Sequence, residues 1–257
     1  MFHVLPGDPG SPVILHVPHA SRELTGEARD SLLLDEAALT DELDHLTDAH
    51  TDLIALRAAD RAAVRPWIFA NGLSRLVVDP ERFPDEREEM RSRGMGAVYT
   101  HGYARRRLRD DDPVRDASFV EEHFHPYAQG MTTLVADRLA ATGRAVILDV
   151  HSYPTQALPY ELHADGPRPE LCLGVDAFHT PLSLTDTATG AFAAYTAAVN
   201  TPFAGAYVPL TWYGRDRAVS ALMLEIRRDT YMTEPGGSPN EGLGDIADAL
   251  AALVDAA

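Results

Sequence analysis

The chain has 257 residues, 45% hydrophobic and 24% charged, the balance of an ordinary soluble protein long enough to bury a full core. Its 39 acidic residues against 22 basic give a formal net charge of −17, which argues against a nucleic-acid or anionic-membrane binder, because neutralising phosphate takes clustered Lys and Arg. A single cysteine, Cys172, excludes an internal disulfide, and no apolar run approaches the roughly 20 residues that span a bilayer.

With no basic-plus-apolar leader at the N-terminus, a cytoplasmic protein is expected, one domain over residues 1–257. Taken in chain order, residues 12–17 read as a buried strand and residues 35–59 as a helix, with Leu39, Leu43, Leu46 and Leu53 forming an apolar stripe. Residues 67–69 and 73–78 are short strand candidates around the Asn71-Gly72 turn signal. Residues 80–113 are dense in charge and carry Gly94, Gly96 and Gly102, the pattern of a long functional loop or lid.

A second helix is expected over 119–141, stopped by Gly143. Strands follow at 145–150 and 171–173, then a helix over 185–199, a strand at 219–226 and a closing Ala/Leu-rich helix over 241–256. Strands alternating with helices predict an α/β fold: a central mixed, mostly parallel sheet flanked by helices.

Three of the strand candidates end abruptly in chemistry. Val13-Ile14-Leu15-His16-Val17-Pro18-His19, the run into Asp149-Val150-His151-Ser152, and Ala221-Leu222-Met223-Leu224-Glu225-Ile226-Arg227-Arg228 each pass from apolar residues to metal-capable or acid/base side chains. In α/β folds catalytic groups gather at the carboxyl ends of strands. His19, His151 and Glu225 are therefore expected to meet, and two histidines, one further ligand and a free glutamate make a hydrolytic zinc centre. The bland alternative is a hydrogen-bonded structural histidine at each strand end. Asp149 and Ser152 flank His151 and are placed to fix its tautomer.

Glu225 is harder to explain blandly, since an unpaired buried carboxylate is costly. It either pairs with Arg227, two residues on along the same strand face, or lines a cavity as a general base. The third metal ligand has two candidates. Asp48 shares a helical face with Asp41, Asp44 and Asp52, a solvated face if the helix is continuous. A break at Thr47-Asp48 would instead turn Asp48 inward. Glu23, four residues after His19, is the competitor.

Several further segments carry a family resemblance: His16-Val17-Pro18-His19-Ala20, Thr47-Asp48-Ala49-His50-Thr51-Asp52, Ser74-Arg75-Leu76-Val77-Val78-Asp79-Pro80-Glu81-Arg82, His125-Pro126-Tyr127, Leu148-Asp149-Val150-His151-Ser152, Cys172-Leu173-Gly174, Pro202-Phe203-Ala204-Gly205 and Glu225-Ile226-Arg227-Arg228-Asp229. In this order and together, they resemble the N-formylglutamate amidohydrolase family. The resemblance implies a fold similar to zinc carboxypeptidases and acylases, with one Zn2+ held by His19, Asp48 and His151 and with Glu225 as general base. The His-x-x-Glu spacing of carboxypeptidases is absent after His19, which favours Asp48 over Glu23. Where members acting on formylglutamate often read Val-Val-Asp-Leu-Asn-Arg, this chain has Val77-Val78-Asp79-Pro80-Glu81-Arg82.

The expected partner is a small N-acyl amino acid, and the protein is expected to be a monomer or small homo-oligomer. Its carboxylates call for planar, two-pronged donors, for which Arg75 and Arg82 come first, followed by Ser152 and Arg227. Other readings are an amidase or peptidase for a different N-acyl compound and a metal-dependent binding domain without chemistry. A serine hydrolase through Ser152 is disfavoured, because the Gly-x-Ser-x-Gly elbow is missing.

Overall fold

The computed structural model describes residues 1–162 and 164–257. Seven strands form one mixed sheet: β1 Phe2–Leu5, β2 Val13–Val17, β3 Trp67–Asn71, β4 Ala145–Tyr153, β5 Leu171–Gly174, β6 Ala197–Val199 and β7 Val219–Arg227. Their spatial order is β1-β3-β2-β4-β7-β5-β6. The central β3, β2, β4 and β7 run parallel, and β1 and β5 join antiparallel on either side. All nine residues of β4 are buried, as expected of a parallel strand covered on both faces.

The helices are α1 Gly26–Asp30, α2 Glu36–Leu46, α3 Thr51–Arg61, α4 Pro113–Phe119, α5 His125–Thr142, α6 Leu182–Ala191 and α7 Gly242–Ala256. Strand alternation sorts the core into two layers. Val13, Leu15, Val146, Leu148, Val150, Leu222 and Leu224 pack with α3, α6 and α7 on one face. Ile14, Phe69, Ile147, Val219 and Ala221 pack with Tyr127, Met131, Leu134 and Val135 of α5 on the other. The same alternation puts His16, Asp149, His151, Met223 and Glu225 on the α5 face.

Several expectations need correction. The helix expected over 35–59 is two helices, α2 and α3, separated at Thr47–His50. His50 adopts a left-handed conformation (φ 66°) before α3, and the Asp48 amide donates to the His19 carbonyl. Residues 73–78 are turns, because Ser74 captures the chain locally: its hydroxyl accepts from Leu76 N–H and its carbonyl from Val77 N–H. The helix expected to end at 199 stops at Ala191, and residues 197–199 instead pair in parallel with β5.

The expected second helix exists in three joined parts. Residues 120–124 form a π-turn in which His125 N–H reaches the Val120 carbonyl, directly before Pro126, whose missing N–H interrupts the regular ladder. Residues 80–113 are no free lid, since Met90, Met95, Tyr99 and Leu108 are buried against Leu39, Leu43 and Leu46 of α2. Strand β1, on the sheet edge, was not visible in the pattern. No helix among the described residues is long and apolar enough to cross a membrane.

Candidate active site

Ladder register builds the site. His151 of β4 and Glu225 of β7 are register partners, as are His16 of β2 and Asp149 of β4. His19 follows the end of β2, and Asp48 enters from the break between α2 and α3. His19, Asp48 and His151 are all buried. His19 Nδ1 and His151 Nδ1 lie 3.3 Å apart, and Asp48 Oδ2 lies 3.2 Å from His151 Nδ1 and 3.6 Å from His19 Nδ1.

A tetrahedral zinc with Zn–N of about 2.0–2.1 Å has ligand–ligand edges of roughly 3.3–3.4 Å. The three donor atoms therefore already stand at metal-ligand spacing. One of the other ring nitrogens is engaged as a metal ligand requires, His19 Nε2 pairing with Asp79 Oδ1 at 2.9 Å, whereas His151 Nε2 lies 3.0 Å from Asp149 Oδ1 without hydrogen-bond geometry. The Asp79 carboxylate favours a protonated Nε2 on His19 and leaves its Nδ1 toward the centre, while Asp149 places negative charge beside the Nε2 of His151. Glu23, the competing ligand, is exposed and outside the cluster.

Outer partners fix the ligands in turn. The Arg228 guanidinium donates to Asp48 Oδ1 at 3.1 Å, to Ser152 Oγ at 3.1 Å and to the His45 carbonyl at 2.7 Å. Asp79 Oδ2 accepts from Tyr99 Oη at 2.5 Å. Asp149 Oδ1 also lies 2.8 Å from His16 Nδ1, and His16 Nε2 lies 2.6 Å from Tyr127 Oη, so a buried hydrogen-bonded chain runs from α5 to Asp149, beside His151. Glu81 Oε2 comes within 3.2 Å of His151 Nε2.

The electrostatics favour bound charge. Burial alone would raise the Asp48 carboxyl, but Arg75, His151 and His19 outweigh it and hold Asp48 well below the usual carboxylate range. Burial would likewise lower His151, yet Asp149 and Glu81 overcome it and raise the imidazole well above its ordinary value. In His19, burial and Arg75 act downward, and Asp79 and Asp48 reverse the sign. The cluster thus holds positive charge, as protons or as a cation.

Glu225 differs. Burial pushes its carboxyl up to about 7, with His151 opposing and Asp48 reinforcing, and its Oε2 has no hydrogen-bond partner among the described residues. It lines a cavity of about 390 Å3 together with His19, Asp48, His151, Arg75 and Arg82. The Arg75 side chain is 11% exposed, and its Nε is buried without a partner, 4.0 Å from Asp79 Oδ2. Arg82 Nε lies 3.7 Å from the same oxygen. Arg75 Nε is thus a guanidinium donor without a partner among the described residues.

The family model for N-formylglutamate amidohydrolase matches residues 11–232. The chain belongs to that family. Its fold is similar to the crystal structure of N-formylglutamate amidohydrolase from Ralstonia eutropha, with a TM-score of 0.81 and 21% identity over 99% of this chain and 95% of that one. It is also similar to a gene product from Agrobacterium tumefaciens, with a TM-score of 0.69 and 18% identity over 98% of this chain and 92% of that one. No curated protein sequence matches.

Within this family frame, His19, Asp48, His151, Glu225, Arg75, Arg82 and Ser152 come together around one cavity. Arg227 does not join them. It pairs with Asp229 at 2.8 Å and donates to the Arg168 carbonyl at 2.6 Å, so the alternative of a structural Glu225–Arg227 pair does not form. The next residue, Arg228, faces the cavity instead. Sequence reasoning also passed over Glu81, His16 and Tyr127. His16 alternates with the apolar residues of β2, a spacing that already puts it on the face of Ile14.

Proposed function

We propose that the protein is a zinc-dependent amidohydrolase that releases the acyl group of N-formyl-L-glutamate or a related N-acyl amino acid. The observation that carries this reading is the convergence of His19 Nδ1, His151 Nδ1 and Asp48 Oδ2 beside an unpartnered Glu225 carboxylate oxygen. Two nitrogens and one oxygen at these spacings suit a catalytic zinc site with an open position. When bound there, zinc supplies Lewis acidity that acidifies water and polarises the scissile carbonyl.

The chain's own residues supply the rest. Arg75 and Arg82 bind the substrate carboxylates through charge-assisted hydrogen bonds and orient the amide toward Glu225. Glu225 accepts a proton from the attacking water, the C–N bond breaks, and the proton passes to the leaving amine. The products are the carboxylate of the acyl group, formate for a formyl substrate, and the free amino acid. A base with a pKa near 7 suits both proton transfers at neutral pH. Asp79 keeps the His19 tautomer, Asp149 sets negative charge beside His151, and Arg228 holds Asp48 in place.

The test is metal content of the purified protein together with formate release from N-formyl-L-glutamate, before and after chelation. Near-stoichiometric zinc and chelator-sensitive formate release are expected. Failure to bind zinc even after it is added back would overturn the proposal.

A further inference from the structure

A second concavity opens directly onto the site. The period-2 alternation of β4 and β7 places Asp149 and Met223, themselves register partners, two residues before His151 and Glu225 on the same sheet face. They form the floor of a groove of about 630 Å3 that shares Glu81, Arg82, Glu89, Ala204 and Met223 with the site cavity. Its start is therefore about 7 Å from the reacting centre. Phe83, Phe124, Ala128, Thr132, Tyr207 and Val208 wall it between α5 and the segment that precedes β7.

The charges divide a substrate between the two spaces. Arg75, with its unpartnered Nε, lines the site cavity and not the groove, while Arg82 stands at the junction of the two, between Asp79 at 3.7 Å and Glu88 at 3.5 Å. In the groove Arg87 is taken up by Asp85 at 2.7 Å and lies 4.8 Å over the Phe83 ring, while Glu81, Glu88 and Asp149 repel carboxylates. The amino-acid half of an N-acyl amino acid is thus drawn toward Arg75, and an uncharged substituent on the carbonyl side faces the groove. A formyl group has no carbon beyond the reacting one and leaves this space unfilled.

We infer that the groove is an acyl-chain subsite and that the preferred substrates are N-acyl amino acids with an aliphatic or aryl acyl group of several carbons. This rests on the amidohydrolase reading and narrows its substrate class. The reaction is the same hydrolysis: water adds to the acyl carbon, the C–N bond breaks, and a longer carboxylate leaves with the free amino acid.

Rates on N-formyl-, N-acetyl-, N-hexanoyl- and N-benzoyl-L-glutamate with the zinc-loaded enzyme test it. Each buried methylene is worth roughly fourfold in kcat/KM, so hexanoyl is expected to exceed acetyl by more than about tenfold. Ala128→Phe, or Thr132→Trp if the first variant folds poorly, should erase that gain and leave formyl and acetyl turnover as before. Formyl turnover with a fall of about tenfold or more on lengthening the chain would overturn the subsite and leave the amidohydrolase reading intact. So would a long-chain preference that neither variant disturbs. No turnover of any of the four would remove both.

Discussion

His151 and Glu225 are neighbours across the β4–β7 ladder, so a proposed metal ligand and a proposed base are set side by side by backbone register alone. Because both belong to central buried strands, their separation does not depend on a mobile loop. Such placement is what a proton transfer beside a bound ion needs.

Replacing Glu225 with Gln removes the proposed base and keeps the shape. Turnover is expected to fall about 100- to 10,000-fold with zinc content unchanged, measured by steady-state kinetics beside metal analysis. The base works only when ionised, and burial sets its carboxyl at about 7. In the wild type kcat/KM should therefore rise with pH to a plateau, with the midpoint at or below about 7, since a bound cation favours the ionised form. The variant should lack that limb.

Asp149 pairs with His16 Nδ1 and sets its charge 3.0 Å from His151 Nε2, and Asp149→Asn removes that charge from beside both rings. Zinc affinity is expected to drop about 10- to 100-fold, read by competition with a chelating dye. Activity at saturating zinc should recover more fully than in a His151→Ala variant, which loses a ligand outright.

Arg75→Gln leaves the pocket shape but removes the two-pronged cation. Loss of a charge-assisted hydrogen bond predicts a fall of about 10- to 100-fold in kcat/KM, mostly through KM. Arg75→Lys should restore only part of it, because an ammonium cannot match the planar fork.

Glu42 offers a stability test away from the chemistry. It is fully buried beneath Gly102, where a Cβ would stand 2.0 Å from Glu42 Oε1, and its Oε2 has no partner among the described residues. Burial pushes its carboxyl up to about 7, against an ordinary value of 4.5. With the folded value above the unfolded one, the protonated form is favoured on folding. That contribution is complete below about 4.5 and is lost as pH rises through about 7, a cost on the order of 3 kcal/mol above it. Glu42→Gln should raise Tm at pH 8 and change it little at pH 4.5, in thermal melts followed by circular dichroism.

Much of this arrangement was legible because the central strands are continuous apolar runs. Val13–Val17, Ala145–Val150 and Val219–Ile226 show no polar alternation along most of their length, as parallel strands covered on both faces should not, and the polar residues ending them mark the site. What stayed hidden depended on tertiary partners. The turn inward at Asp48 relies on Arg228, 180 residues away, and on the left-handed His50, neither of which periodicity detects. Glu81 sits in a turn whose course is set by Asp79, and the choice between Arg227 and Arg228 depends on where β7 ends, one residue past Ile226. Phe2–Leu5 is short, half exposed and on an edge, so its hydrophobic signal is weak.

The donor atoms of His19, Asp48 and His151 come from segments far apart in the chain, joined only when β2 and β4 have paired and α2 has broken away from α3. A cation bound at this point would therefore be a late arrival in the folding of the molecule. Unlike the ion of a small zinc module, which holds an otherwise unfolded chain together, it would find its cage built by the sheet. The chelated protein should consequently keep its fold and lose only the clamp between the Asp48 turn and the two strand ends.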